Sequence, residues 1–264
     1  MALQKRFFDH YLKPEGNGWD DQPRVQLRIR HVDGSFTDRA ENEWPMARTI
    51  WTRYHLGGAG ELASTSSPSS TAVEYDAGGD GVTFSTPPLP EEMEVTGALA
   101  AKLFVSSATV DADLFLVVRV FDPEDQEVTF MGALDPNTPV AQGWLRASHR
   151  ALDPEKSLPY RPYHPHTLIE PLTPGQIYEL EVEIWPTSVV IPAGYRLALT
   201  IRGNDYRYEG ELSEFARRFH YAGRGVGPFK HADPEDRPPE IFAGVVTLHL
   251  GGDTDSHLLV PVVP

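Results

Sequence analysis

The sequence predicts an all-β protein, a sandwich or jelly roll, preceded by one short helix. Three observations lead there. About ten segments alternate apolar and polar residues with a period of two, and little helical pattern lies between them. The 24 prolines and 22 glycines are spread along the chain rather than clustered, as many turns between short strands require. At 264 residues without a cysteine, the chain is long enough to bury a core with no covalent staple.

The elements follow in order. Leu3, Phe7 and Tyr11 fall at i, i+4 and i+8, with Phe8 and Leu12 beside them, which predicts an amphipathic helix stopped at Pro14 and Gly16. About three turns of helix are marginal in water, so the apolar face should dock on something. Gly16 to Gln22 reads as a linker, which divides the chain into a helix and linker over 1–23 and a β domain over 24–264. Val25, Leu27 and Ile29 alternate with arginine and glutamine, a strand with one wet face. Arg48 to His55 alternates likewise, and the Ser/Thr-rich stretch Ser64 to Thr71 reads as a loop.

Val95, Leu99, Ala101, Leu103 and Val105 make a long strand face. Leu114, Leu116, Val118 and Val120 make another, and Phe115 and Val117 opposite them predict a strand buried on both sides. Tyr178 to Ile184 alternates against Glu179, Glu181 and Glu183; Tyr195 to Ile201, Gly244 to Leu250 and the tail from Leu258 repeat the pattern. Two connections are long: Leu152 to Gln176 carries six prolines, and Asn204 to Phe242 exceeds the length of an idle loop. Within the second, Leu212, Phe215, Ala216 and Phe219 predict a short amphipathic helix.

Composition excludes several roles. A net charge of −15 argues against nucleic acid or an anionic membrane surface as partner. The first ten residues hold no apolar signal-peptide core, so a cytoplasmic location is expected, and no apolar run approaches the ~20 residues of a membrane helix. The absence of cysteine removes disulfides, thiolate metal sites and a cysteine nucleophile.

No serine has glycines two before and two after it, the turn on which an α/β-hydrolase presents its nucleophile. Ser148-His149 read as neighbours on a strand, pointing to opposite faces and unable to pair. His164 and His166 lack an evident further ligand set, so no metal site or cofactor is expected. Asp111 and Asp113 fit either a calcium site or, preferably, the turn into the next strand. Asp233, Glu235 and Asp236 read as a solvated acidic turn. Trp51, Tyr54, Trp144 and Trp185 could stack on a sugar, but packing is the preferred reading.

Two stretches carry more specific information: Gly143-Trp144-Leu145-Arg146-Ala147-Ser148-His149-Arg150, and Glu183-Ile184-Trp185-Pro186-Thr187-Ser188 followed by Pro192-Ala193-Gly194-Tyr195-Arg196-Leu197. Together with Tyr75-Asp76, Phe84 to Leu89, Val95-Thr96-Gly97, Leu103 to Ser107, Asp111-Ala112-Asp113, Asp233 to Glu240, His249 and Ser256 to Val262, they resemble the C-terminal β-domain of the X-Pro dipeptidyl-peptidase and cocaine-esterase-like serine hydrolases. Leu3 to Tyr11 is similar to the last helix of that family's hydrolase domain. The resemblance implies a galactose-binding-like jelly roll, and it places the family's catalytic Ser, Asp and His upstream, so no catalytic residue maps here.

It also implies an α/β-hydrolase domain as partner, in cis or as a separate chain, with homo-oligomerisation as a further possibility. The expected interface or pocket residues are Phe7, Phe8 and Tyr11 on the helix and Trp144, Arg146 and His149 in the motif. The family often has a longer insertion where this chain has Ala77 to Thr83, so a pocket contribution from that loop is not expected. The alternative is a stand-alone jelly-roll binding module, carbohydrate being one ligand class. The helix discriminates: a stand-alone module should cover its apolar face, whereas a domain missing its partner should leave it bare or pair it in a dimer.

Overall fold

The computed structural model describes residues 2–13, 15–212, 214–218, 223–227 and 230–264. In chain order these form α1 (Ala2–Leu12), β1 (Val25–His31), β2 (Phe36–Glu41), β3 (Ile50–Leu56), β4 (Leu62–Ala63), β5 (Thr71–Asp76), β6 (Val82–Ser85), β7 (Met93–Ser107), β8 (Asp113–Phe121), β9 (Glu127–Val128) and β10 (Ala141–Arg146). A 3-10 turn (Ala147–His149), β11 (Tyr178–Ile191), β12 (Arg196–Arg202), α2 (Glu214–Arg218), α3 (Pro239–Phe242), β13 (Val245–Leu250) and β14 (His257–Val263) complete them.

The strands build two facing sheets, the sandwich that the alternation predicts. The larger runs β2-β1-β11-β7-β14-β3-β4, and β13 joins it between β7 and β5; the smaller runs β10-β8-β12-β6, with β9 beside β8. The 15-residue β7 is the spine. One edge pairs with β11 along nearly its whole length, and the other is shared by β14 and β13. Every pairing of named strands is antiparallel except β1 with β11.

The core lies between the sheets. Leu99, Leu103 and Val105 of β7 and Leu180, Val182 and Ile184 of β11 face Leu114, Leu116 and Val118 of β8 and Leu197, Leu199 and Ile201 of β12, all buried. β8 is buried on its second face as well, as its composition predicts: Phe115 and Val117 are covered, and Phe115 meets His231 and Arg237 from the long connection before β13. That connection is thus packing material for the smaller sheet.

At one border the two sheets touch. A Cβ on Gly143 of β10 would lie 2.2 Å from the Glu183 carbonyl oxygen and 2.9 Å from Ile184 Cγ1, so only glycine lets β10 close onto β11. The seam is sealed by polar groups. Arg30 Nη2 donates to the Val140 carbonyl (2.9 Å) and to Thr187 Oγ1 (2.5 Å), and the guanidinium lies over the Phe130 ring. β11 bulges at the same place, between Ile184 and Thr187, and the bulge carries Trp185-Pro186.

Two sequence expectations change and one holds. The motif strand ends at Arg146, and Ala147, Ser148 and His149 form a 3-10 turn rather than a strand. Strands β2, β4 and β9 have no counterpart in the sequence reading, and β5 and β6 only through the family resemblance, because each is short or weakly alternating. The helix expected around Leu212 to Phe219 is present as α2, while Phe219, like Pro14 at the end of α1, lies outside the described residues. No helix among the described residues is long and apolar enough to cross a membrane.

Gly143→Ala is expected to destabilise the fold by about 2 kcal/mol or more through overpacking of the seam. Gly16→Ala, where a Cβ meets open space, should be near neutral. Leu116→Ala, in the centre of the core, should cost about 2–5 kcal/mol. Urea denaturation of the three variants checks the ranking.

Candidate functional site

Trp144 and Arg146 alternate along β10 and so share a face. Register places Arg146 directly opposite Asp113, the first residue of β8. The guanidinium grips this buried carboxylate in a fork, Nε to Oδ1 at 2.8 Å and Nη2 to Oδ2 at 3.1 Å. The same guanidinium donates to Asp236 (Nη2 to Oδ2 3.0 Å, Nη1 to Oδ1 3.1 Å) and lies 4.4 Å over the Phe242 ring. Arg237 closes the group by donating from Nε to Asp113 Oδ2 at 2.8 Å and to the carbonyls of Gly203 and His231.

Two expectations are corrected by this network. Asp113 does not shape a turn or offer itself to calcium, since two guanidiniums occupy its carboxylate oxygens. Asp236 is part of the network rather than of a free acidic turn. Asp111 serves locally, its Oδ1 accepting the Ala112 and Ser148 backbone N–H groups. The paired carboxylates raise the Arg146 pKa further above its ordinary value, chiefly through the Asp113 hydrogen bonds. The Arg146 hydrogen bonds hold the Asp236 carboxyl below its own.

Trp144 stacks edge-on to Trp185 of the β11 bulge, centroids 5.3 Å apart, and lies 6.3 Å from His231. The two indoles wall a largely apolar hollow of about 490 Å³ with Leu134, Val226, Gly227 and His231. Trp185 is 64% exposed. Trp51, by contrast, is stacked on Tyr160 at 4.4 Å and Tyr54 reaches Met93 Sδ, so those two rings already have partners within the chain.

His149 turns away from Ser148. Its Nδ1 sits 3.2 Å from Nδ1 of His166, and burial, with His149 and His164 as neighbours, lowers the His166 pKa. The Ser148 hydroxyl is buried with no hydrogen-bond partner, so Ser148 and His149 do not form a nucleophile–base pair. The reason is the 3-10 turn rather than strand alternation.

Phe7, Phe8 and Tyr11 form a separate cluster. Phe7 touches Phe8, Tyr11 and Trp19 of the linker at 4.8–5.2 Å. Arg6 donates to the Asn17 and Gly18 carbonyls, so the helix is tied to its own linker. Its apolar face stays open: Phe8, Tyr11 and Leu12 are 54%, 60% and 74% exposed. The motif singles out Trp144 and Arg146, whereas Trp185, which the sequence reads as packing, is exposed. Asp236, Arg237 and His231 as partners of Trp144 and Arg146 were not legible, because their contacts span about 90 residues and no local pattern encodes them.

Asp113→Asn should cost about 3 kcal/mol, because it leaves two partly buried guanidiniums facing a neutral group; thermal and urea melts measure it. Asp236 has a depressed pKa when folded, so its stabilisation is present above its unfolded pKa of about 3.9 and is lost as pH falls through the folded value. The wild type should therefore lose stability more steeply below about pH 4 than Arg146→Gln does, and a pH series of melts on both proteins makes the comparison.

Comparison with known proteins agrees with this architecture. Residues 17–213 match the family model described as the X-Pro dipeptidyl-peptidase C-terminal non-catalytic domain. The cocaine esterase of Rhodococcus sp. (strain MB1 Bresler) is 23% identical over 304 residues, covering 99% of this chain and 46% of that protein. A CocE/NonD family hydrolase structure from Staphylococcus aureus superposes with a TM-score of 0.83 at 27% identity, covering 99% of this chain and 45% of that one. An aminopeptidase from a marine-sediment Thaumarchaeota archaeon shares the fold, with a TM-score of 0.68 at 15% identity over 99% of this chain and 44% of its own. The chain thus spans less than half the length of these relatives. It belongs to the X-Pro dipeptidyl-peptidase C-terminal non-catalytic domain family, the β-sandwich C-terminal domain of CocE/NonD-type and X-Pro dipeptidyl-peptidase-like hydrolases.

Proposed function

We propose that this domain supports the α/β-hydrolase domain of a serine hydrolase and completes one wall of its substrate pocket. The parent reaction is ester or amide hydrolysis through an acyl-serine intermediate formed on the other domain. The observation that carries this reading is the open apolar face of α1. A helix of 11 residues is not stable in water on its own, and Phe8, Tyr11 and Leu12 find no cover in the sandwich. A hydrolase domain lying against that face would bury it. The share of the relatives' length that this chain spans leaves room for such a domain.

The wall would come from the Trp144–Trp185 hollow. It is apolar, it lies at the bulged seam between the sheets, and its wall residue His231 is tied to the Arg146 network through Arg237. Rigid indoles on a strand and a bulge suit recognition of an acyl or aromatic substrate group, since they lose little freedom on binding.

Mixing the chain with the CocE/NonD-type hydrolase domain of its own organism should give a complex by analytical ultracentrifugation. Phe8→Ser with Tyr11→Ser should weaken it by at least about thirtyfold, the loss of two aromatic anchors worth about 1–2 kcal/mol each. Trp185→Ala should leave the complex intact and raise KM for an aromatic ester. Turnover of an activated ester by the chain alone, abolished by a serine-directed inhibitor, would contradict the proposal.

A further inference from the structure

The outer face of the larger sheet carries a cluster that the hydrolase reading does not use. His55 of β3 and His257 of β14 are directly opposite in the antiparallel register, so their side chains rise from the same face of the sheet. Asp255, two residues before His257, reaches back between them. His55 Nδ1 and Asp255 Oδ1 are 2.7 Å apart, and His257 Nδ1 is 4.0 Å from Asp255 Oδ2. One donor atom from each of the three lies within 4.8 Å of the other two. The cluster edges a groove of about 860 Å³, floored by Ala100 and walled by Trp51 and Tyr160.

We infer that His55, Asp255 and His257 form a binding site for a divalent transition cation of the zinc class. The donor set is the right one: two imidazoles and a carboxylate suit zinc, nickel, copper and iron, whereas calcium and magnesium prefer oxygen alone. The distances are close. Ligand atoms around a tetrahedral ion at about 2.0–2.1 Å stand about 3.3 Å apart, so the set closes on an ion by side-chain rotation, without moving the strands. The scaffold is stiff, since both histidines sit on paired strands and His55 and His257 are largely covered.

The surroundings are already arranged for it. Ser66 donates to Asp255 Oδ1 at 2.6 Å and orients the carboxylate. His257 Nδ1 donates to the Asp255 carbonyl at 2.9 Å, which fixes the tautomer and leaves Nε2 as the ligand atom of that ring. Lys102, in register with His257, is neutralised by Glu179 and Glu181, while Arg53, whose charge acts on His257, lines the same groove. The ion takes the place of the proton between His55 Nδ1 and Asp255 Oδ1; that proton passes to solvent while His55 Nε2 takes one up, so the imidazole stays neutral. The groove leaves a further coordination position open. The bound ion would pin the C-terminal strand β14 to β3.

The experiment is isothermal titration of Zn²⁺ into the untagged full chain at pH 7.5. One equivalent should bind with Kd below about 10 μM. His55→Gln and His257→Gln keep polar side chains and the fold, as circular dichroism will check, and each should weaken binding at least about tenfold. His164→Gln, in the other histidine group, should leave it unchanged. Absence of saturable binding up to about 1 mM Zn²⁺ would overturn the inference. So would binding that survives both His55→Gln and His257→Gln, or that is lost with His164→Gln instead.

Discussion

The carboxylate of Asp113 is the interaction around which the Trp144–Arg146 face is organised. It is buried at the start of β8 and grips two guanidiniums, Arg146 from the end of β10 and Arg237 from the long connection before β13. A buried charge costs several kcal/mol in desolvation and persists only where its partners return that energy. Here they do so with geometry: a fork from Arg146, a third bond from Arg237, and aromatic rings under both guanidiniums, Phe242 and Phe115. The three segments therefore cannot shift independently. The connection that carries His231 is held over β8, and this in turn places His231 beside Trp144.

The second constraint is steric. β10 closes onto β11 only because Gly143 has no side chain, and the bulge at Trp185-Pro186 lies on the same seam. The closure brings Trp144 of one sheet against Trp185 of the other. Arg30 fills the seam with a half-buried cation that has backbone carbonyls, a threonine hydroxyl and an aromatic face for company. Burial lowers its pKa, though not enough to discharge a guanidinium. The glycine and tryptophan of the motif are thus one device: the glycine lets the sheets meet, and the indole occupies the place where they do.

The sandwich and the N-terminal helix solve opposite problems. The sandwich covers its apolar residues by stacking two sheets, and its long connection covers what remains of β8. The helix has an equally apolar face and leaves it in water, secured only to its own linker by Arg6, Asn17 and Trp19. Met131, Ile169 and Trp185 are exposed elsewhere in the chain, but on the helix Phe8, Tyr11 and Leu12 share one continuous face. The His55–Asp255–His257 cluster lies on yet another surface, the outer face of the larger sheet, away from the Arg146 network.

The all-β class, the helix from Leu3 to Leu12, the doubly buried strand at Leu114 to Val120 and the family signature around Trp144 were all legible in the sequence. Each rests on local periodicity or on contiguous residues, and local pattern survives without knowledge of partners. Short strands such as β4 and β9 were not legible, because two residues carry too little alternation and are stabilised by their neighbours. The turn at Ala147–His149 was read as strand, since only its packing distinguishes it: Asp111 receives the Ser148 N–H and pulls the chain out of extension. Asp113 with Arg237, Trp144 with His231, and His55 with His257 were decided by tertiary structure alone. Their partners lie from about 90 to about 200 residues apart: strand register brings His55 to His257, and the packing of the long connection over β8 brings Arg237 and His231 to Asp113 and Trp144.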